Sequence, residues 1–297
     1  MKAVFEKKAI VFAGIILISA LISGCGEFLD MSVSAGGTEK EENDATKGFG
    51  QYEITDRDRD TMESGAFEIN LDEPEDDRTD IYSYESGEIT IRSGGKYLIK
   101  GKLDNGSLII HVFEDEMVHL ILDNAEINAV NGAAIYVEQA AKVILTAKEG
   151  TINILSDGMK YKETQKACLF SNSDLTINGS GSLAVYAYYA DGVRSKDQVK
   201  AVNANLYVKA KGDGIRGNDG VILSGSATEV ECEGTGIRSV SERDMVVMQG
   251  GSCKVIAGKN AVDANRYVSV RDCQTDLYSV WESIKCDGIR DIEETVE

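Results

Sequence analysis

Proline is all but missing from this chain of 297 residues: Pro74 is the only one. Histidine (His111, His119) and tryptophan (Trp281) are nearly as scarce. Each shortage excludes something. Proline cannot donate to a strand ladder, so its scarcity suits a body made of interior strands. Two histidines, both inside strand-like apolar runs, leave no legible Ser/His/Asp or Cys/His arrangement for nucleophilic catalysis. Beyond Cys25, the cysteines Cys168, Cys232, Cys253, Cys273 and Cys286 are odd in number and contain no CxxC pair. That fits neither a zinc site nor a full disulfide set, and small buried side chains are the expected role. Positive charge is also short, with 31 Lys and Arg against 50 Asp and Glu and a net of −19, which argues against nucleic acid as a partner.

What the chain does have is a repeat. Asp191-Gly192-Val193-Arg194-Ser195 returns as Asp213-Gly214-Ile215-Arg216-Gly217 and as Thr235-Gly236-Ile237-Arg238-Ser239, with looser copies at 260–264 and 282–286. The aligned small residues are spaced by 22, 22, 25 and 22, so one copy carries an insertion. A fixed period of this length without helical spacing predicts an all-β coil, a β-solenoid whose turns stack about 4.8 Å apart. Equivalent residues then form ladders. Val193, Ile215, Ile237, Val262 and Ile284 are one inward ladder, and Val199, Val221, Val246 and Val268 another. Ser195, Gly217, Ser239, Ala264 and Cys286 are the small residues of a tight corner.

The termini read differently. Lys2, Lys7 and Lys8 precede an apolar run from Ala9 to Leu21, too short to span a bilayer comfortably and laid out as a secretory signal over 1–24. Ile22-Ser23-Gly24-Cys25 resembles a bacterial lipobox, which implies a lipid-modified Cys25 and a protein held at the outer face of the cell membrane. Between Thr38 and Asp80 lie 16 acidic and 5 basic residues, a net of −11. Residues 25–88 are accordingly expected to be an acidic, largely flexible tether. The run Asp56-Arg57-Asp58-Arg59-Asp60 fails the calcium-loop template, because Thr61 stands in place of the turn glycine, and reads as charged linker. Residues 89–297 form the β-rich body, expected to be monomeric.

Two polar ladders stand beside the apolar ones. Arg194, Arg216 and Arg238 recur outward; Asp197 and Asp219 recur three residues on, joined by Asp244 once the insertion is allowed for, and Asp191 and Asp213 precede the glycine. Stacked like charges destabilise neighbouring strands unless compensated. Exposed pairs Arg194–Asp197 and Arg216–Asp219 would compensate them. Alternatively the aspartates hold Ca2+, a hard cation suited to carboxylate oxygens. The arginines are then left as a row of forks for a long acidic polymer. Among the aromatics, Tyr186 and Tyr188 align at a 22-residue offset with Val208 and Ala210 and are expected inward, while Tyr207 and Trp281 are expected to serve packing. Tyr189, beside Asp191, is the sugar-contact candidate.

Ser93-Gly94-Gly95-Lys96-Tyr97-Leu98-Ile99-Lys100-Gly101, Gly132-Ala133-Ala134-Ile135-Tyr136-Val137, Leu175–Leu183 and the Asp-Gly-Val/Ile-Arg copies resemble a family of bacterial surface carbohydrate-binding domains. The resemblance runs from about residue 89 to 290. It implies a single-stranded right-handed parallel β-helix like that of pectate lyases. It also implies calcium sites built from aspartates, binding to acidic plant polysaccharide (polygalacturonate) and also cellulose, and no catalysis. Thr235, Asn260 and Glu282 depart from the family's acidic position, which puts metal in the later turns in doubt. The enzyme alternative is a calcium-dependent lyase of the pectate-lyase type. Against it, the three arginines look interchangeable, whereas a catalytic base sits in one asymmetric pocket. The remaining alternative is a structural or adhesive surface protein.

Overall fold

The computed structural model describes residues 52–74, 80–159, 165–242 and 244–293. The signal segment, Cys25 and the first half of the expected tether lie outside them. The described residues are nearly all β, a parallel β-solenoid of about 8 turns, with no α-helix among them.

Each full turn contributes three strands. Asp191–Ser195, Gln198–Val202 and Asn205–Ala210 make one turn; Ile215–Gly217, Gly220–Ser224 and Ala227–Cys232 make the next. Stacked, they form three parallel walls. The arginine wall carries Asp191–Ser195, Ile215–Gly217 and Ile237–Ser239; it belongs to a 10-stranded sheet. The second wall runs through Gln198–Val202, Gly220–Ser224 and Met245–Gln249, and the third through Asn205–Ala210, Ala227–Cys232 and Ser252–Ala257. These two belong to one 16-stranded sheet, because the long strands Gly95–Asp104 and Met117–Asn128 run on from one wall to the other.

The expected ladders are present. Val193, Ile215, Ile237 and Val262 are in register and fully buried, as are Val199, Val221, Val246 and Val268. Cys232 aligns with Ala210, Ala257 and Ser279, and Cys253 with Thr228 and Thr275, in the small inward role expected of them. The five cysteines among the described residues are all free. The repeated glycine has a steric cause: a Cβ on Gly192, Gly214 or Gly236 would run into Val208, Val230 or Val255 of the third wall. The insertion falls at a corner, where five residues separate Ser239 from Met245 and only two separate Gly217 from Gly220.

The N-terminal end is closed by the antiparallel hairpin Tyr82–Glu85/Glu88–Ile91, turned through Ser86 and Gly87, both at positive φ. The strand Phe67–Asn70 closes the other sheet against Gly95–Asp104. Part of the expected tether is therefore structured. Residues 52–66 form a strap lying over the outside of the second wall. Tyr52 and Ile54 pack on Ile222, Met245, Val247 and Tyr267, and Asp58 is wholly buried. The charged-linker reading of 56–60 is corrected accordingly. Asp58 bonds to Lys142, Thr176 and Lys200, which come from three different turns and which composition could not bring together.

Candidate functional site

Alternation along the short strands of the arginine wall buries Val193, Ile215 and Ile237 and turns Arg194, Arg216 and Arg238 outward, in register on three successive turns. The same column runs through Tyr136 and Phe170, whose rings lie 5.9 Å apart, before the arginines and continues into Asp263 and Lys285 after them.

Asp191 and Asp213 stand at the start of these strands, nearly buried, and they divide their two oxygens. Asp191 Oδ1 accepts the Asp213 amide at 2.9 Å, and Asp213 Oδ1 accepts the Thr235 amide at 2.9 Å. Asn260 repeats the contact for the Glu282 amide at 3.2 Å, so a short polar side chain here ties each turn to the next whether or not it is charged. The second oxygens face the arginines. Asp191 Oδ2 meets Arg194 at 3.2 Å; Asp213 Oδ2 meets Arg216 at 3.6 Å and Arg238 at 3.3 Å. The expected pairs Arg194–Asp197 and Arg216–Asp219 are thus replaced. Asp197 and Asp219 sit past the tight corner that follows the strand, whereas Asp191 and Asp213 lie on the arginines' own wall.

Three guanidiniums against two carboxylates leave this row locally cationic on a chain of net charge −19. The Nε atoms of Arg194, Arg216 and Arg238 are all buried and unbonded. Burial first, and then the like charges of Arg194 and Arg238, push the Arg216 pKa down. Burial raises that of Asp191, with the neighbouring Asp213 charge adding to it. An anion over the row would relieve the arginine repulsion and meet donors already in place.

The aspartates expected to bind calcium do not all fit that role. Asp191 and Asp213 are engaged by amides and arginines. Asp244 is fully buried and accepts the amides of Asn265 and Arg266 at 2.7 and 3.0 Å. Among the described residues no three or more His, Cys, Asp or Glu converge as a metal site. The Asp197 and Asp219 carboxylates make no hydrogen bond or ion pair among the described residues. Burial, with repulsion from Asp174 and Asp219, raises the Asp197 pKa.

The aromatics need a correction. Strand pairing matches Val185 with Val208, Tyr186 with Lys209 and Ala187 with Ala210, an offset of 23 rather than 22. Tyr186 therefore faces outward, 5.9 Å from the ring of Tyr207, and Tyr188 is 58% exposed instead of core. Three residues separate Ala187 from Asp191 and only two separate Ala210 from Asp213, so Tyr189, 50% exposed, is an extra residue at the corner. The signal was available in Leu183/Leu206 and Val185/Val208, both 23 apart. Tyr188 and Tyr189 border the arginine row at one end of this corner. At the other, Trp281 is 65% exposed with Lys259 over its ring at 5.9 Å.

Comparison with known proteins agrees with this geometry. Residues 85–293 match the family model described as carbohydrate-binding domain-containing protein. A carbohydrate-binding domain-containing protein of Acetivibrio thermocellus is 34% identical over 228 residues, covering 73% of this chain and 80% of that one. A solved structure described as the polysaccharide lyase-like protein from C. thermocellum, in a gadolinium derivative, superposes with a TM-score of 0.73 at 27% identity, covering 76% of this chain and 96% of that chain. The match over residues 85–293, together with the 34% identity to the Acetivibrio thermocellus protein, places this chain in the carbohydrate-binding domain family.

Proposed function

We propose that the protein captures acidic plant polysaccharide without cleaving it, and that the arginine wall is where it does so. The observation that carries this reading is the row Arg194, Arg216 and Arg238, repeating at the turn spacing of about 4.8 Å with side chains still partly exposed. A polymer with one carboxylate per sugar meets such a row as a repeating partner. Guanidinium forks bind carboxylates bidentately, and each good contact to a charged group contributes about 1.5–3 kcal/mol. Tyr189, with Tyr188 beside it, offers ring faces to the sugar at the edge of the row. Cellulose, lacking carboxylates, would depend on those ring faces.

Calcium belongs to the same reading as a bridge between protein and uronate carboxylates. Its remaining candidate ligands are Asp197 and Asp219. The lipid-modified Cys25 would hold the domain at the outer face of the membrane.

A lyase is the competing reading, favoured by the polysaccharide lyase-like neighbour. The near-equivalent surroundings of the three arginines speak for binding, since proton abstraction needs one group singled out. Calorimetric titration with polygalacturonate, in calcium and again in EDTA, tests both. Heat that depends on Arg216 and decays to zero after each injection supports a binding module, and loss of that heat in EDTA supports the calcium bridge. A continuing signal with release of unsaturated uronides would establish a lyase. No binding in either buffer would leave a structural surface protein.

A further inference from the structure

The second wall of the coil hides an unusual row of cations. Lys96, Lys142 and Lys200 stand on its outer side on separate turns, with His119 among them. Several outward lysines elsewhere pair with carboxylates of the coil itself: Lys209 with Glu231 at 2.9 Å, Lys254 with Glu229 at 2.7 Å, Lys102 with Glu126 at 3.0 Å. Here they do not. Among the described residues, every side-chain polar contact of Lys96, Lys142 and Lys200 is made with the strap. Lys96 reaches Asp60 and the Met62 carbonyl, both at 2.9 Å. Lys142 and Lys200 share the carboxylate of Asp58, and Lys200 also reaches the Glu53 carbonyl at 2.6 Å. Stripped of the strap, the three lysines would lose the side-chain partners they have, leaving Asp174, in register beside Lys142, as a neighbouring coil carboxylate.

The strap is also attached unlike anything else in the coil. Each turn is bonded to the next through its backbone. Within residues 52–66, by contrast, the backbone–backbone hydrogen bonds are all local: Asp58 to Thr55, Arg59 to Asp56, Asp60 to Arg57 and Ala66 to Glu63. Its hold on the wall is made by side chains: the charge pairs, the Thr176 hydroxyl on Asp58, Asn178 Nδ2 donating to the Asp58 and Asp60 carbonyls, Tyr52 and Arg57 reaching Gln249 and Met117, and the apolar contact of Tyr52 and Ile54. Such a segment can leave as a unit without breaking a ladder.

We propose that the strap is an internal acidic ligand, and that the lysine track beneath it is a second binding site for a carboxylated polysaccharide, closed until the strap is displaced. Asp58 and Asp60 hold the positions that uronate groups would take, over lysines that stand on alternate turns, at about twice the spacing of the arginines on the other wall. The inference shares its class of ligand with the function proposed above but uses a different wall and different residues. A polymer would bind the open form, so the apparent affinity of the closed protein is lowered by the fraction that is open.

The test is made in the full chain carrying Arg194→Ala, Arg216→Ala and Arg238→Ala, so that the arginine row does not contribute. Polygalacturonate is titrated into this protein with and without Asp58→Asn. Asp58→Asn with Ile54→Asp is the second variant, which also puts a charge into the apolar seat. Release of the strap is read independently by trypsin cleavage after Arg57 and Arg59. The expected result is cleavage together with at least tenfold tighter binding, abolished by adding Lys142→Gln and Lys200→Gln; neutral dextran should not bind. Release without a gain in affinity would overturn the proposal, as would a gain indifferent to the two lysines. If neither variant opens the strap to trypsin, it is a fixed part of the wall and the proposal fails. The arginine-row function is judged separately, by whether binding to the otherwise unaltered protein requires Arg216.

Discussion

Asp58→Ala is the substitution whose cost follows most directly from the structure. The carboxylate accepts the Thr55 amide and hydroxyl, both at 2.9 Å, and the Thr176 hydroxyl at 2.6 Å, and it is the counter-charge of Lys142 and Lys200. Burial by itself would raise its pKa. The bonds from Lys142, Thr176 and Thr55 outweigh burial and hold it well below the usual carboxylate range. Removing one partner of a buried charge pair costs about 3–5 kcal/mol, because the other is left uncompensated. The two lysine side chains are only 15% and 10% exposed, so they lose their partner out of water. The strap is free to lift, however, and a lifted strap rehydrates them. The loss is then capped near the docking energy of the strap, and about 3 kcal/mol is expected. Urea unfolding followed by circular dichroism measures it, with Asp56→Ala, an exposed neighbour, expected within about 0.5 kcal/mol of the parent. A loss for Asp58→Ala below about 1 kcal/mol, with amides of 54–60 still protected from exchange, would refute the reasoning.

Other outcomes follow from the same contacts. Arg216→Ala should weaken polygalacturonate binding at least tenfold, about 1.4 kcal/mol, while thermal unfolding shifts little, since the Asp213 carboxylate retains Arg238 and the Thr235 amide. Gly214→Ala should destabilise by about 1–3 kcal/mol through overpacking against Val230, measured by urea unfolding. Burial lowers the His119 pKa from 6.5 to about 4, so the folded state resists a proton that the unfolded chain accepts. Stability should be full above pH 6.5 and fall as pH drops towards 4, by about 3 kcal/mol, and His119→Gln should flatten that part of the profile. Tyr189→Ala should leave stability nearly unchanged and reduce affinity for the glycan by a few-fold, read by calorimetry.

Much of the body was legible because a stacked coil is read along its own repeat. When equivalent residues must sit one above another, a single inward ladder such as Val193, Ile215, Ile237 and Val262 declares the register of a whole wall. The cysteine positions followed from that register, and so did the outward row of arginines. The register failed where local length changed. One extra residue between Ala187 and Asp191 shifted Tyr186 and Tyr188 from inside to outside, because a one-residue slip in a strand reverses which face each side chain takes.

The sequence by itself determined the all-β coil, its period, its core columns and the presence of a repeating cationic row, since all of these arise between residues at a fixed separation. Tertiary structure alone decided who partners whom across the coil. Asp191 and Asp213, rather than Asp197 and Asp219, neutralise the arginines, because sharing a wall matters more than being three residues away in either direction along the chain. The acidic stretch around Asp58 became a docked strap, because only the folded coil collects Lys142, Thr176 and Lys200 from three turns into one seat for a carboxylate. Composition records how much charge a segment carries. The folded coil determines whether that charge meets water or a waiting partner.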